Sequence, residues 1–234
     1  AASMFGALVF RRPQDPAIHT WADRLLALIE TCPDANDRIL LGCNLQLHYT
    51  VGVGQNAQIE RLMAALDPPV GVVPCPFAGA LLWALRSMQH WSRGEMQEAA
   101  AAAESGSRLA RQNGLRMWDF LLGALQVYAW LNNGELGQCR AALGRLAKRL
   151  EPRRKIDVAH YHYLVCLASL LAEEGAQALQ HIEIANAIVN QYGGPHQHAL
   201  GSLALAQALQ ALRRTDEAWP ALAYGRQIGV AMHS

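Results

Sequence analysis

The sequence is poor in several things, and each shortage removes a class of protein. Only two lysines occur, Lys148 and Lys155, against eighteen arginines, and the net charge is +1. With that balance, no global field draws the chain to nucleic acid or to a membrane surface. β-Branched and aromatic residues are sparse beside alanine and leucine, which argues against a mainly β protein. No apolar run approaches the length of a membrane span. The five cysteines (Cys32, Cys43, Cys75, Cys139, Cys166) are odd in number and contain no CxxC spacing, so scattered reduced thiols are expected rather than a disulfide framework or zinc site. That points to a cytoplasmic setting. GxxxxGK[ST], HExxH and GxSxG are all missing, so neither a P-loop ATPase nor a motif-bearing protease or hydrolase is expected. The opening AASMFGALVFRRP has no basic n-region and starts inside an apolar helical pattern. The closing GRQIGVAMHS stops without a clear cap. A segment of a longer chain is therefore expected.

What the chain does have is a recurring phrase. WSRGEMQEAAAAAE, Trp91–Glu104, places a turn residue ahead of a helix rich in small residues. Turn residues recur at Gly54, Gly94, Gly134, Glu173 and Arg213, at spacings of 40, 40, 39 and 40. Five residues beyond each stand Ile59, Ala99, Cys139, Ala178 and Ala218. Nine beyond stand Met63, Ala103, Leu143, Ile182 and Leu222. Twelve beyond stand Leu66, Gly106, Leu146, Ala185 and Gly225. Steps of four and three share one helical face. The stretch before each turn, such as GALLWALRSMQHW or YHYLVCLASLLA, is apolar around most of its circumference, as in a helix buried on more than one side. Each unit thus reads as a buried helix A, a tight turn and an amphipathic helix B. DPAIHTWADRLLALIE adds a further helix B, with residues 1–11 as the remnant of its helix A. The count is twelve helices in six hairpins. Pro33, Pro152, Pro195 and the proline-rich DPPVGVVPCP fall between hairpins, and Pro220 predicts a kink or a later start in the last helix. The expectation is one continuous all-α, right-handed solenoid over residues 1–234.

The hairpin with a small residue after its turn resembles tetratricopeptide repeats, although those have a period of about 34 residues. The longer period, with RKIDVAHYHYL at Arg154–Leu164 and LRRTDEAWPAL at Leu212–Leu222, is similar to the tetratricopeptide-like superhelix of large bacterial ATP-dependent transcriptional activators of the maltose-regulon type. The resemblance covers nearly the whole chain. It implies a non-catalytic module that binds an effector or a regulatory protein and relays the event to neighbouring ATPase and DNA-binding modules. The alternative reading is a stand-alone scaffold for a peptide or protein partner. Neither reading includes enzymatic activity, a cofactor, direct nucleic-acid contact or membrane attachment. An oligomer is compatible with both.

In such arrays certain helix A positions line a concave groove. Counting back from the turns by 13, 10, 6, 3 and 2 selects Asn44, His48, Met88, Trp91, Tyr128, Asn132, His160, Tyr163, Gln207 and Gln210, with Leu81, Leu121, Leu131 and Leu167 sharing the wall. An apolar wall carrying a few polar and aromatic groups suits a peptide or small molecule. The competing reading is that these residues pack between hairpins. His160 with His162, and His196 with His198, stand two apart; that spacing points to different faces of a helix and forms no ready chelate. The basic run RLAKRLEPRRK, Arg145–Lys155, lacks interleaved aromatics and reads as a solvated helix end and loop.

Overall fold

The computed structural model describes residues 2–52 and 54–233. Among them every regular element is helical: α1 Ala2–Arg11, α2 Ala17–Thr31, α3 Ala35–Leu47, α4 Asn56–Leu66, α5 Pro76–Ser92, α6 Met96–Gln112, α7 Asp119–Asn132, α8 Leu136–Ala147, α9 Lys155–Leu171, α10 Gly175–Tyr192, α11 Pro195–Ala211 and α12 Thr215–His233. A π-helical turn, His48–Gly52, follows α3, and a 3₁₀ turn, Arg116–Trp118, precedes α7. The helix count is the expected twelve. α12 begins at Thr215 with Pro220 inside it, not at a later residue.

The five turn residues all adopt the left-handed conformation. Their φ values are +64° at Gly54, +80° at Gly94, +71° at Gly134, +60° at Glu173 and +58° at Arg213. Each helix B then begins two residues later. Four of the turns close in the same way. The next residue donates its N–H to the carbonyl five back (Glu95 to His90, 2.9 Å; Glu135 to Trp130, 3.0 Å; Glu174 to Ser169, 2.8 Å; Arg214 to Leu209, 2.9 Å). The turn residue itself donates three back, for example Glu173 to Leu170 at 3.1 Å. This paired bonding satisfies the last carbonyls of helix A and requires an αL residue. The first turn differs. Gln55 N–H reaches six back, to Tyr49 O at 2.9 Å, because the π-helical turn inserts an extra residue.

Glycine adopts αL freely, whereas an L side chain there costs about 1–2 kcal/mol. Glu173 and Arg213 are exposed and bear that cost. Glu173→Gly and Arg213→Gly are therefore expected to raise unfolding stability by about 0.5–1 kcal/mol each, after glycine's own entropic penalty. Gly94→Ala and Gly134→Ala are expected to lower it by about 1 kcal/mol. Urea titration of the four variants checks both signs. A loss of stability in Glu173→Gly and Arg213→Gly would contradict the left-handed assignment.

Two compact units divide the chain at residues 129 and 130. In the first, α1–α2, α3–α4 and α5–α6 pack as hairpins, and α3 also packs on α1 and α5. One cluster, including Phe5, Leu25, Ile39, Leu62 and Leu85, joins α1 to α5. α5 and α6 meet closely. Ser87 Oγ donates to the Ala99 carbonyl at 2.8 Å, and Ala99, Ala103 and Gly106 are all buried. Such contact between backbones is available only where helix B carries small side chains, which accounts for the alanine run. In the second unit, α9–α10 and α11–α12 pair, α10 packs on α11, and α8 and α11 both touch α9. Cys166, Ala178, Ile182, Ala185, Ala204 and Ala208 form its centre. The residues five, nine and twelve past the turns are buried throughout, except Leu222 on α12, which is 39% exposed. Its helix also exposes Trp219, Tyr224 and Val230. The basic run 145–155 spans the end of α8 and the exposed loop before α9, with Arg154 paired to Asp157 at 2.7 Å. None of the described helices is long and apolar enough to cross a membrane.

Candidate functional site

The residues assigned to a groove fall into both units, and each set stands by itself. In the first unit, Asn44 on α3 is partly buried. Its amide lies so near Gly6 of α1 that a Cβ there would come within 2.8 Å of Nδ2. His48 departs from the groove expectation. It is 5% exposed, with the Phe5 ring edge-on at 5.5 Å and the His19 and Tyr49 rings at 6.3 and 5.6 Å. The π-helical turn places it in the core and α1 covers it, so it packs between helices. Leu81, expected on the wall, is likewise in the core at 2% exposure. Met88 and Trp91 on α5 and Tyr128 on α7 are partly exposed, and Leu121 packs against the α5–α6–α7 cluster. The Trp91 indole N–H is buried and finds no acceptor in the protein. Tryptophan usually finds a partner for that donor when buried, so this N–H has unused bonding capacity.

In the second unit, Asn132, Gln207 and Gln210 are exposed, Leu131 and Leu167 partly so. His160 and Tyr163 of α9 lie side by side with ring centroids 6.3 Å apart. Burial, together with the neighbouring His196, pushes His160 down to about 4. Burial, together with Cys166, pushes the Tyr163 hydroxyl up to about 12. Both side chains are thus neutral near pH 7. The buried thiols Cys139 and Cys166 are raised by desolvation to about 11 and about 12, which removes their thiolate character. All five cysteines are free, but Cys75 is exposed and so is not a core thiol.

Two features escaped the sequence reading. A cleft of ≈ 370 Å³ opens between α8, α9 and α10, floored by Leu143, Val165 and Ala168 and rimmed by the ion pair of Arg140 and Glu174 at 2.6 Å. His162 meets not His160 but His181 of α10, Nδ1 to Nδ1 at 2.7 Å. A count in both directions from Glu173 finds this pair, since the two histidines stand eleven before and eight after the turn.

No family model and no curated protein matches the chain. Among solved structures, the crystal structure of BtubC (BKLC) from P. vanneervenii matches 100% of this chain and 90% of that chain, with a TM-score of 0.59 and 14% identity. At that identity the likeness shows a shared helical fold. The class that fold and site define is a helical protein of neighbouring hairpins with left-handed turns at a forty-residue period.

Proposed function

We propose that the chain is a non-catalytic binding and signal-relay module of a larger bacterial transcriptional regulator, its hairpins forming a right-handed tetratricopeptide-like solenoid. One observation carries the binding role: successive A helices present partly exposed aromatic and polar side chains, and the buried indole N–H of Trp91 has no partner within the protein. An apolar wall with a few convergent polar groups takes an effector or a peptide. The regulator setting rests on the forty-residue period and on the phrases RKIDVAHYHYL and LRRTDEAWPAL. Relay requires the ligand to favour one arrangement of the hairpins over another.

Two measurements test this. Immunoblotting of source-cell extract with an antibody to this segment reads the native mass. A band several times 25.6 kDa supports the multidomain regulator. A band near 25.6 kDa replaces it with a stand-alone scaffold for a peptide or protein partner. Trp91→Ala with Tyr128→Ala is expected to abolish the thermal shift given by effector hits from a metabolite and peptide screen, while far-ultraviolet circular dichroism stays unchanged. Retained shifts in that double variant would remove the α5–α7 groove from the proposal.

A further inference from the structure

The cleft between α8, α9 and α10 gathers polar groups that the fold leaves incompletely bonded. Leu143, Val165 and Ala168 close its ≈ 370 Å³ from beneath. Arg140 of α8 and Glu174 at the start of α10 stand at its rim, paired through Nη2 and Oε1 at 2.6 Å. Their side chains are 53% and 43% exposed, so water screens the attraction and admitting a third group between them costs little. Further guanidinium N–H groups and carboxylate lone pairs are left over for that group. Ser169 adds an independent observation. It lines the cleft and is 3% exposed. Among the described residues its hydroxyl has no hydrogen-bond partner, yet the oxygen is not sealed from solvent. Ser87 and Ser92, by contrast, donate to the Ala99 and Gln89 carbonyls, each at 2.8 Å. The cleft is the outlet of the Ser169 hydroxyl, and a polar group seated there completes its bonding.

We infer that this cleft binds a small aliphatic α-amino acid, held as its zwitterion. The inference goes beyond the proposed function, since it uses none of the groove residues and does not depend on the regulator setting. An α-amino acid carries its ammonium and carboxylate on one carbon, so its opposite charges sit side by side, as they do on the rim. Its carboxylate accepts from Arg140 and its ammonium donates to Glu174, which turns a single ion pair into an alternating ring of charges. The aliphatic side chain then falls on Leu143, Val165 and Ala168 and leaves water there. None of those three side chains forms hydrogen bonds, so a polar or charged ligand side chain would be desolvated without compensation. The mixed rim also rejects ligands of one charge. Glu174 repels a monocarboxylate that Arg140 attracts, and Arg140 repels a simple amine that Glu174 attracts. The internal residues of a peptide carry neither charge on the backbone, so they lack both rim contacts. Arg140, Glu174 and the apolar floor contact three different substituents of the α-carbon, which distinguishes the L from the D form.

Isothermal titration of the 234-residue chain with L-leucine and L-valine tests the site. One equivalent of either is expected to bind and to raise the melting temperature. Leucine without its ammonium (4-methylpentanoate), leucine without its carboxylate (3-methylbutylamine), L-aspartate and D-leucine should each bind about ten-fold more weakly or worse. Arg140→Gln and Glu174→Gln should each weaken L-leucine about ten-fold, and Ser169→Ala about three-fold. Arg226→Gln, at an exposed position of α12, should leave it unchanged. Circular dichroism checks the fold of each variant. Should a rim variant fail to fold, the ligand series on the wild-type chain decides by itself. No heat from either amino acid at millimolar concentration overturns the site. So does equal affinity for leucine and 4-methylpentanoate, or unchanged affinity for leucine in both rim variants.

Discussion

Gly106→Leu is expected to destabilise the protein by about 3 kcal/mol, the upper part of the overpacking range. Gly106 is buried on α6, twelve residues past the Gly94 turn. A Cβ there would stand 2.7 Å from Leu122 Cδ2, 2.9 Å from Trp83 Cβ and 3.3 Å from the Ala80 carbonyl oxygen. The leucine methyl can rotate away. The Trp83 Cβ and the Ala80 carbonyl belong to the frame of α5 and move only if α5 moves. A side chain of four carbons must therefore separate α5 from α6 and break the contacts around Ala84, Ala110 and Leu122. The position does not forbid leucine in general, since Leu66 and Leu146 fill it in other hairpins at 0% and 2% exposure. Each hairpin has matched its interaxial distance to its own residue. Gly144→Leu on the exposed face of α8, where a Cβ meets nothing within 4 Å, is the control, and better helix propensity should make it neutral or stabilising by about 0.5–1 kcal/mol. Urea unfolding compares the two. A Gly106→Leu protein within about 0.5 kcal/mol of wild type would mean that α5 and α6 are not this close.

The hairpin units were legible because their signal is local and repeated. A left-handed turn residue sets where helix A stops and helix B starts, so a fixed count from it reaches the buried positions. Glu173 and Arg213 show that the spacing carried more information than residue type, since neither is a usual αL residue, yet both have positive φ. The candidate site was less legible because it depends on what covers a helix face. His48 occupies a groove position by count, but the π-helical turn and α1 bury it. The His162–His181 contact joins two helices across a turn, and a search for chelating spacings within a single helix passes over it. Leu222 matches its repeat position in sequence, but its exposure on α12 is a property of packing.

Acid is expected to weaken the fold in a window set by histidine. His160 titrates at about 4 in the folded protein and at its ordinary 6.5 when unfolded. Between those values the unfolded chain takes up a proton that the folded chain refuses, so stability rises with pH across the window. The contribution is complete above pH 6.5, declines as pH falls and is lost by about pH 4, with a magnitude on the order of 3 kcal/mol. His162 and His181 are lowered by the same cause and add with the same sign. The ion-paired carboxylates enter at the acid end of the window with the same sign. Glu30 is held below its ordinary 4.5 by a hydrogen bond from Arg61, and Glu60 by one from Arg93, so each adds a loss of stability as the unfolded chain takes up protons near pH 4.5, and the points at pH 6.5 and 5.5 report the histidines most cleanly. Urea unfolding at pH 7.5, 6.5, 5.5 and 4.5 is therefore expected to show a progressive loss from the second point onward. His160→Gln keeps a polar side chain and cannot titrate, so it should reduce that loss by about half. If His160→Gln and wild type give parallel profiles, desolvation of His160 is not what couples folding to acid. A shared shift of both profiles when His162 is also replaced would move the coupling to the His162–His181 pair.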